Sequence, residues 1–140
     1  MEPRRLGREE RRERILQGVV PVFARKGFHG ATSRELAQAC GVSEALLYRH
    51  FRDKPSLYAA VARRHVGDGS LHPGLPRLKA MPPSTRRLIL AVQYLMAHFL
   101  EGTAAGAGDE IPRLMVQSLL GDGEFARAVL KALEAEAGAF

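Results

Sequence analysis

The run from Thr32 to Phe51 constrains this chain most, because two short helical segments are punctuated there at fixed places. Thr32-Ser33-Arg34-Glu35 sets a hydroxyl at a helix N-cap and an acid three residues on, the reciprocal pairing of a capping box. A helix over about Ser33 to Cys40 follows. Gly41 stops it in the backbone conformation a tight turn needs, Val42 plugs the turn into the core, and Ser43 caps a third helix of about Glu44 to Phe51. Upstream, Ile15, Val19 and Phe23 recur every four residues with Leu16 and Val20 beside them, which predicts a first helix over Arg8 to Lys26. Gly27 is its expected end, and Pro21, which removes a helical hydrogen bond, predicts a kink near Gly18 to Pro21. Downstream, Asp53 or Lys54 opens a fourth helix to about Val66, with Pro55 in its first turn and Leu57, Tyr58 and Val61 facing inward.

Two short helices joined by a three-residue turn, with Leu36, Val42, Leu47 and Phe51 as their core, make a helix-turn-helix. Periodicity then leaves Glu44, Ala45, Tyr48 and Arg49 on the outward side, a face able to enter a major groove. A plain three-helix bundle whose Tyr48 and Arg49 merely face solvent satisfies the same pattern.

Charge separates the two halves of the chain. Residues 1 to 66 hold 14 of the 21 Lys and Arg but only 7 of the 15 Asp and Glu, so the net charge of +6 sits in the first half. That asymmetry points to a polyanionic partner for that half, whereas an Arg-rich composition without a partner predicts mixed charge throughout. The chain lacks the apolar run of about 18–20 residues that a membrane span needs. Met1 to Arg14 is a run of Arg and Glu with no apolar leader segment after it, so a cytoplasmic location is expected. The lone Cys40 permits neither an intrachain disulfide nor a multi-cysteine metal site. The five histidines, His29, His50, His65, His72 and His98, show no ligand spacing, and no Gly-rich loop follows a strand. The expectation is therefore a non-enzyme with no metal and no cofactor.

After Val66 the texture changes. Residues 67–83, rich in Gly, Pro and Ser, read as a connecting segment. A helix from Ser84 or Thr85 to about Leu100 places Leu88, Val92, Leu95 and Phe99 on one face, with Ile89 and Met96 beside them, and Gly102 to Gly108 breaks it. A shorter helix spans about Glu110 to Leu120, and a last one starts after Asp122-Gly123-Glu124 and ends near Gly138. The fold class is thus all-α: a helix-turn-helix domain over residues 1–66, the connection over 67–83, and a further helical domain over 84–140.

Arg14-Ile15-Leu16, Phe23 to Phe28, Ala31 to Ala37, Gly41 to Lys54 and Leu57 together resemble the DNA-binding domain of TetR-family transcriptional regulators, over about residues 8 to 66. The resemblance implies a homodimeric regulator, usually a repressor, that binds a palindromic double-stranded operator and releases it when a small-molecule effector enters its C-terminal domain. It also implies roles for single residues. Thr32 and Ser33 meet phosphate at a helix N-terminus, and Arg34 reaches a base edge unless it pairs with Glu35 or Glu44. Ser43, Tyr48, His50 and Lys54 contact the backbone, with Arg49 and Arg52 close enough to add contacts. Base readout falls to Glu44, Ala45, Leu46, Tyr48, Arg34 and Arg49. Many relatives have a small polar residue at Leu46, which here either touches a thymine methyl or joins the core.

In the weaker-matching second half, Leu95, Met96, Phe99, Leu114, Met115 and Phe125 are the expected effector lining, with Tyr94, His98 and Gln117 as polar handles; apolar residues at this spacing also describe a plain core. Family members usually carry further helices, including a C-terminal dimerisation pair. The expectation is a regulatory domain incomplete at the C-terminus, with exposed apolar area or dimerisation through another surface. The competing function is a helical protein-interaction module without ligand-controlled DNA binding.

Overall fold

The computed structural model describes residues 7–67, 74–104 and 110–137. Every regular element among them is a helix: α1 (Arg8–Gly30), α2 (Ser33–Ala39), α3 (Glu44–His50), α4 (Lys54–Gly67), α5 (Leu75–Lys79), α6 (Thr85–Ala104), α7 (Glu110–Leu120) and α8 (Glu124–Ala137). Most of the loop expected over Gly102 to Gly108, the core of the connecting segment with His72, and the Phe99 side chain lie outside the described residues.

The local signals around the turn act as their chemistry predicts. Thr32 Oγ1 accepts from Glu35 N (3.2 Å) while Glu35 Oε2 accepts from Thr32 N (3.0 Å), and Ser43 Oγ accepts from Leu46 N (3.1 Å). Such caps each contribute about 1 kcal/mol. Asp53 caps α4 in the same manner, its Oδ1 accepting from Ser56 N at 2.8 Å.

The break in α1 is not at the proline. Its one non-helical residue is Gly27, with φ 72° and ψ 178°, a conformation open only to glycine, and one more turn follows to Gly30. Val19, Val22 and Phe23 are buried on either side of Pro21, and the backbone there keeps helical φ/ψ although one hydrogen bond is missing. Gly18 serves close approach rather than bending: a Cβ there would lie 2.9 Å from Cys40 Sγ on the end of α2. Burial pushes the Cys40 thiol up to about 11, which keeps it protonated and unreactive.

Two further boundaries differ from expectation. The connecting segment contains α5, with Pro76 in its first turn and Leu78 buried. Helix α6 continues through Gly102 to Ala104, because a glycine costs a long helix only about 1 kcal/mol.

The two halves of the sequence share one core. Helix α4 packs on α8 and α1 on α7, and the buried cluster runs from Ile15 and Phe23 through Leu36, Leu47 and Tyr58 to Leu114, Phe125 and Val129. The Tyr58 ring sits at its centre, with ring centroids 4.8 Å from Phe23, 5.1 Å from Phe28 and 5.3 Å from Phe125. Offset and edge-on rings at such distances add to plain burial. One face of α6 stays in solvent, with Leu88, Ile89, Val92, Met96 and Leu100 exposed. No helix among the described residues is long and apolar enough to cross a membrane.

Candidate nucleic-acid interface

The outward side of the helix-turn-helix is built on a rigid pair of helices. Leu36, Leu47 and Phe51 are buried, which fixes α2 against α3. The Tyr48 hydroxyl and Ser33 Oγ share a hydrogen bond across the two helices, so the aromatic ring bridges them rather than standing free. Arg12 adds a brace from α1, its guanidinium 4.8 Å from the Phe51 ring centroid.

Of the sequence-predicted contact residues, Ser33 and Tyr48 are bonded to each other, and Leu46, Arg49 and His50 line one cavity. Thr32, Arg34, Ser43, Glu44, Ala45 and Arg49 are exposed, and Ser33, Leu46, Tyr48, His50 and Lys54 are half-buried. Arg34 pairs with neither Glu35 nor Glu44. Glu35 is held instead by Lys26 and Thr32, bonds that keep its carboxyl down at about 2. Leu46 stays outside the buried cluster, facing an open cavity of about 400 Å³ with Arg8, Arg11, Arg49 and His50.

Lys54 is placed unlike a free phosphate ligand. Its ammonium donates to the carbonyls of Phe28 (2.8 Å) and Ala31 (3.1 Å) and lies 4.6 Å from the Phe28 ring centroid. Two of its three protons therefore cap the carbonyl end of α1, leaving one for a backbone phosphate.

The sequence reading missed two groups at this face. Arg8 and Arg11, on the first turns of α1, line one cavity with Leu46, Arg49 and His50 of α3, and Arg12 lies against Phe51. A signal for them existed: cations in the first turn of a helix oppose its dipole, so their placement there asks for another partner.

The second half holds the first by named contacts. The Gln117 side-chain amide of α7 lies against the last turns of α1 and, with its NH2 oriented toward them, donates to the carbonyls of Phe23 (3.2 Å) and Ala24 (2.6 Å). His29 lies 3.8 Å from Asp122 in the α7–α8 turn, and within the first half Arg64 of α4 pairs with Glu13 of α1.

The expected effector lining does not converge. Leu114, Met115 and Phe125 are buried in the shared core, Met96 is exposed and Leu95 is half-buried. A groove of about 390 Å³ lies elsewhere, between α4 and α8, with Phe28, Tyr58 and Ala132 on its floor and Arg63, Arg127 and Lys131 on its rim. None of Leu95, Met96, Leu114, Met115 and Phe125 borders it. No group of three or more potential metal-ligating side chains occurs among the described residues.

Residues 15–61 match the model of the bacterial regulatory proteins of the tetR family. Over 102 residues the chain is 37% identical to the HTH-type transcriptional activator FasR of Mycolicibacterium smegmatis, covering 73% of this chain and 46% of that protein. Over 53 residues it is 47% identical to the HTH-type transcriptional repressor Rv1474c of Mycobacterium tuberculosis, covering 38% of this chain and 28% of that one. The matches thus span less than half the length of these relatives. Among solved structures, the fatty acid degradation regulator FadR of Bacillus halodurans superposes with a TM-score of 0.56 at 19% identity, covering 94% of this chain and 63% of that one, which extends the likeness of fold into the second half. The capping box, the glycine turn and the Leu-Tyr-Arg-His-Phe helix fall inside the matched segment, so the likeness of residues 15–61 to the tetR family of bacterial regulatory proteins runs through the helix-turn-helix itself.

Proposed function

We propose that the protein is a transcription regulator that binds a palindromic operator as a homodimer, acts as a repressor, and leaves the DNA when a small-molecule effector binds its second half. The observation that carries the DNA-binding part is the exposed side of α3. Glu44, Ala45 and Arg49 project from a braced helix, and neither Arg49 nor the adjacent Arg34 has an ion-pair partner among the described residues. In this reading Arg34, Arg49, Glu44, Ala45 and Leu46 address base edges, while Thr32, Ser33, Ser43, Tyr48, His50 and Lys54 address the backbone.

Effector control is supported by the grip of α7 and α8 on α1 and α4. A ligand that shifts these helices changes the Gln117 bonds to Phe23 and Ala24, and with them the angle at which α1 supports α3. Leu95 and Met96 of α6 are the predicted lining residues with surface left for a ligand, while Leu114, Met115 and Phe125 transmit the shift from within the core. The competing reading, a helical interaction module, draws support from the exposed apolar face of α6.

Selection of random duplexes with the full chain tests the proposal. An enriched inverted repeat is expected; Arg34→Ala should change the preferred bases, and Tyr48→Phe should weaken all sequences alike. A folded chain that enriches no sequence would overturn it in favour of the interaction module.

A further inference from the structure

We propose that Arg8 and Arg11 of α1, together with Arg49 and His50 of α3, form a clamp for one backbone phosphate of DNA beside the base-reading face. This rests on the DNA-binding reading and adds to it a site built from two helices far apart in sequence.

Three observations combine. The cavity is walled by three guanidiniums and an imidazole, with Leu46 as its one apolar wall. None of the three arginines has an ion-pair partner among the described residues. Of the three acids of α1, Glu10 accepts from Gly7 N at 3.0 Å and Glu13 pairs with Arg64, while Glu9 stands exposed. Finally, His50 Nδ1 is buried without a hydrogen-bond partner among the described residues. The imidazole that carries this unpartnered nitrogen lines the same cavity, where an oxyanion would neutralise the three arginines.

A phosphodiester fits this chemistry better than a carboxylate. Its oxygens accept from several guanidinium forks at once, and the site adjoins Arg49 and Leu46 on the helix proposed to read bases. Burial, then Arg8, Arg11, Arg49 and Arg12, hold the His50 pKa below its ordinary value. These four cations, from α1 and α3, are the charges acting on the ring. An arriving phosphate reverses that balance, so binding takes up a proton and tightens as pH falls between the bound and free pKa values of His50.

The test uses the full chain and a selected duplex, with affinity measured from 50 to 200 mM NaCl. Loss of one phosphate contact lowers the log–log salt slope by about 0.9 per half-site, so over this fourfold range the advantage of wild type over R8Q/R11Q should shrink by about 3.5-fold per half-site. R8K/R11K should keep the wild-type slope, and so should R86Q/R113Q, which removes the same charge from α6 and α7. His50→Gln should remove a pH dependence of up to about tenfold per unit per half-site. Sodium phosphate at matched ionic strength should compete no better than chloride. If wild type binds no duplex, the DNA-binding reading fails and the clamp with it. If wild type binds and R8Q/R11Q keeps its slope, or loses affinity through a lowered melting temperature, the clamp alone is refuted. Displacement by free phosphate beyond the ionic-strength effect would also overturn assignment of the site to DNA.

Discussion

Replacing Phe125 by alanine tests whether the second half of the chain holds the first. The Phe125 ring is fully buried, 5.3 Å from Tyr58 of α4, and its backbone N–H donates to Ser118 Oγ at 2.9 Å. Truncation leaves the cap bond intact and empties a ring-sized space between α8 and α4. A fully buried Phe→Ala change costs about 3–5 kcal/mol, against a total stability of about 5–15 kcal/mol for a domain. For a chain of this size that lowers the melting midpoint by about 10–15 °C. Thermal denaturation followed by circular dichroism, with hydrogen exchange on the amides of α4, measures it. The shared core predicts one transition in which α4 loses protection together with α8. A loss below about 1 kcal/mol, or two transitions with α1–α4 melting at the wild-type midpoint, would refute the reasoning.

Other perturbations probe single contacts. Lys54→Ala removes two charged bonds to the Phe28 and Ala31 carbonyls, so it should cost about 1–2 kcal/mol in denaturant titration as well as weaken DNA binding; unchanged stability would mean the carbonyl grip is not made in solution. Gly27→Ala should destabilise by about 1–3 kcal/mol, a conformational cost alone because the new Cβ would meet the end of the Gln117 side-chain amide at an ordinary 3.6 Å. Glu35 has its folded pKa held down at about 2 from 4.5, so its contribution is full above pH 4.5 and lost as pH falls toward 2. Glu35→Gln should flatten the acid limb of the stability curve over that window, and an unaltered limb would exclude the Lys26 and Thr32 bonds as its source.

What the sequence made legible follows the range of the interactions. The caps at Thr32 and Ser43 are settled within three residues, so their chemistry can be read directly from the residue types. Gly27 is legible as an interruption, but nothing local shows that the further turn to Gly30 lies beside Gln117, ninety positions downstream. Lys54 shows the same limit: its position marks a cation near the turn, while its partners lie on the end of α1. First-turn cations mark Arg8 and Arg11 as asking for a partner, but an amphipathic pattern says which side is buried and not that α3 lies beside them. In the second half, periodicity correctly marks Leu114 and Phe125 as inward, yet a core position and a pocket wall carry the same pattern. Only packing separates them.

The most direct measurement of the central claim is the affinity of the full chain for duplex DNA as a function of salt. A helix-turn-helix face that engages at least three phosphates predicts a log–log slope of about −3 or steeper, with a selected sequence retained over random duplex at every salt concentration. Salt-insensitive binding, or none, by a chain that is folded by circular dichroism would contradict it.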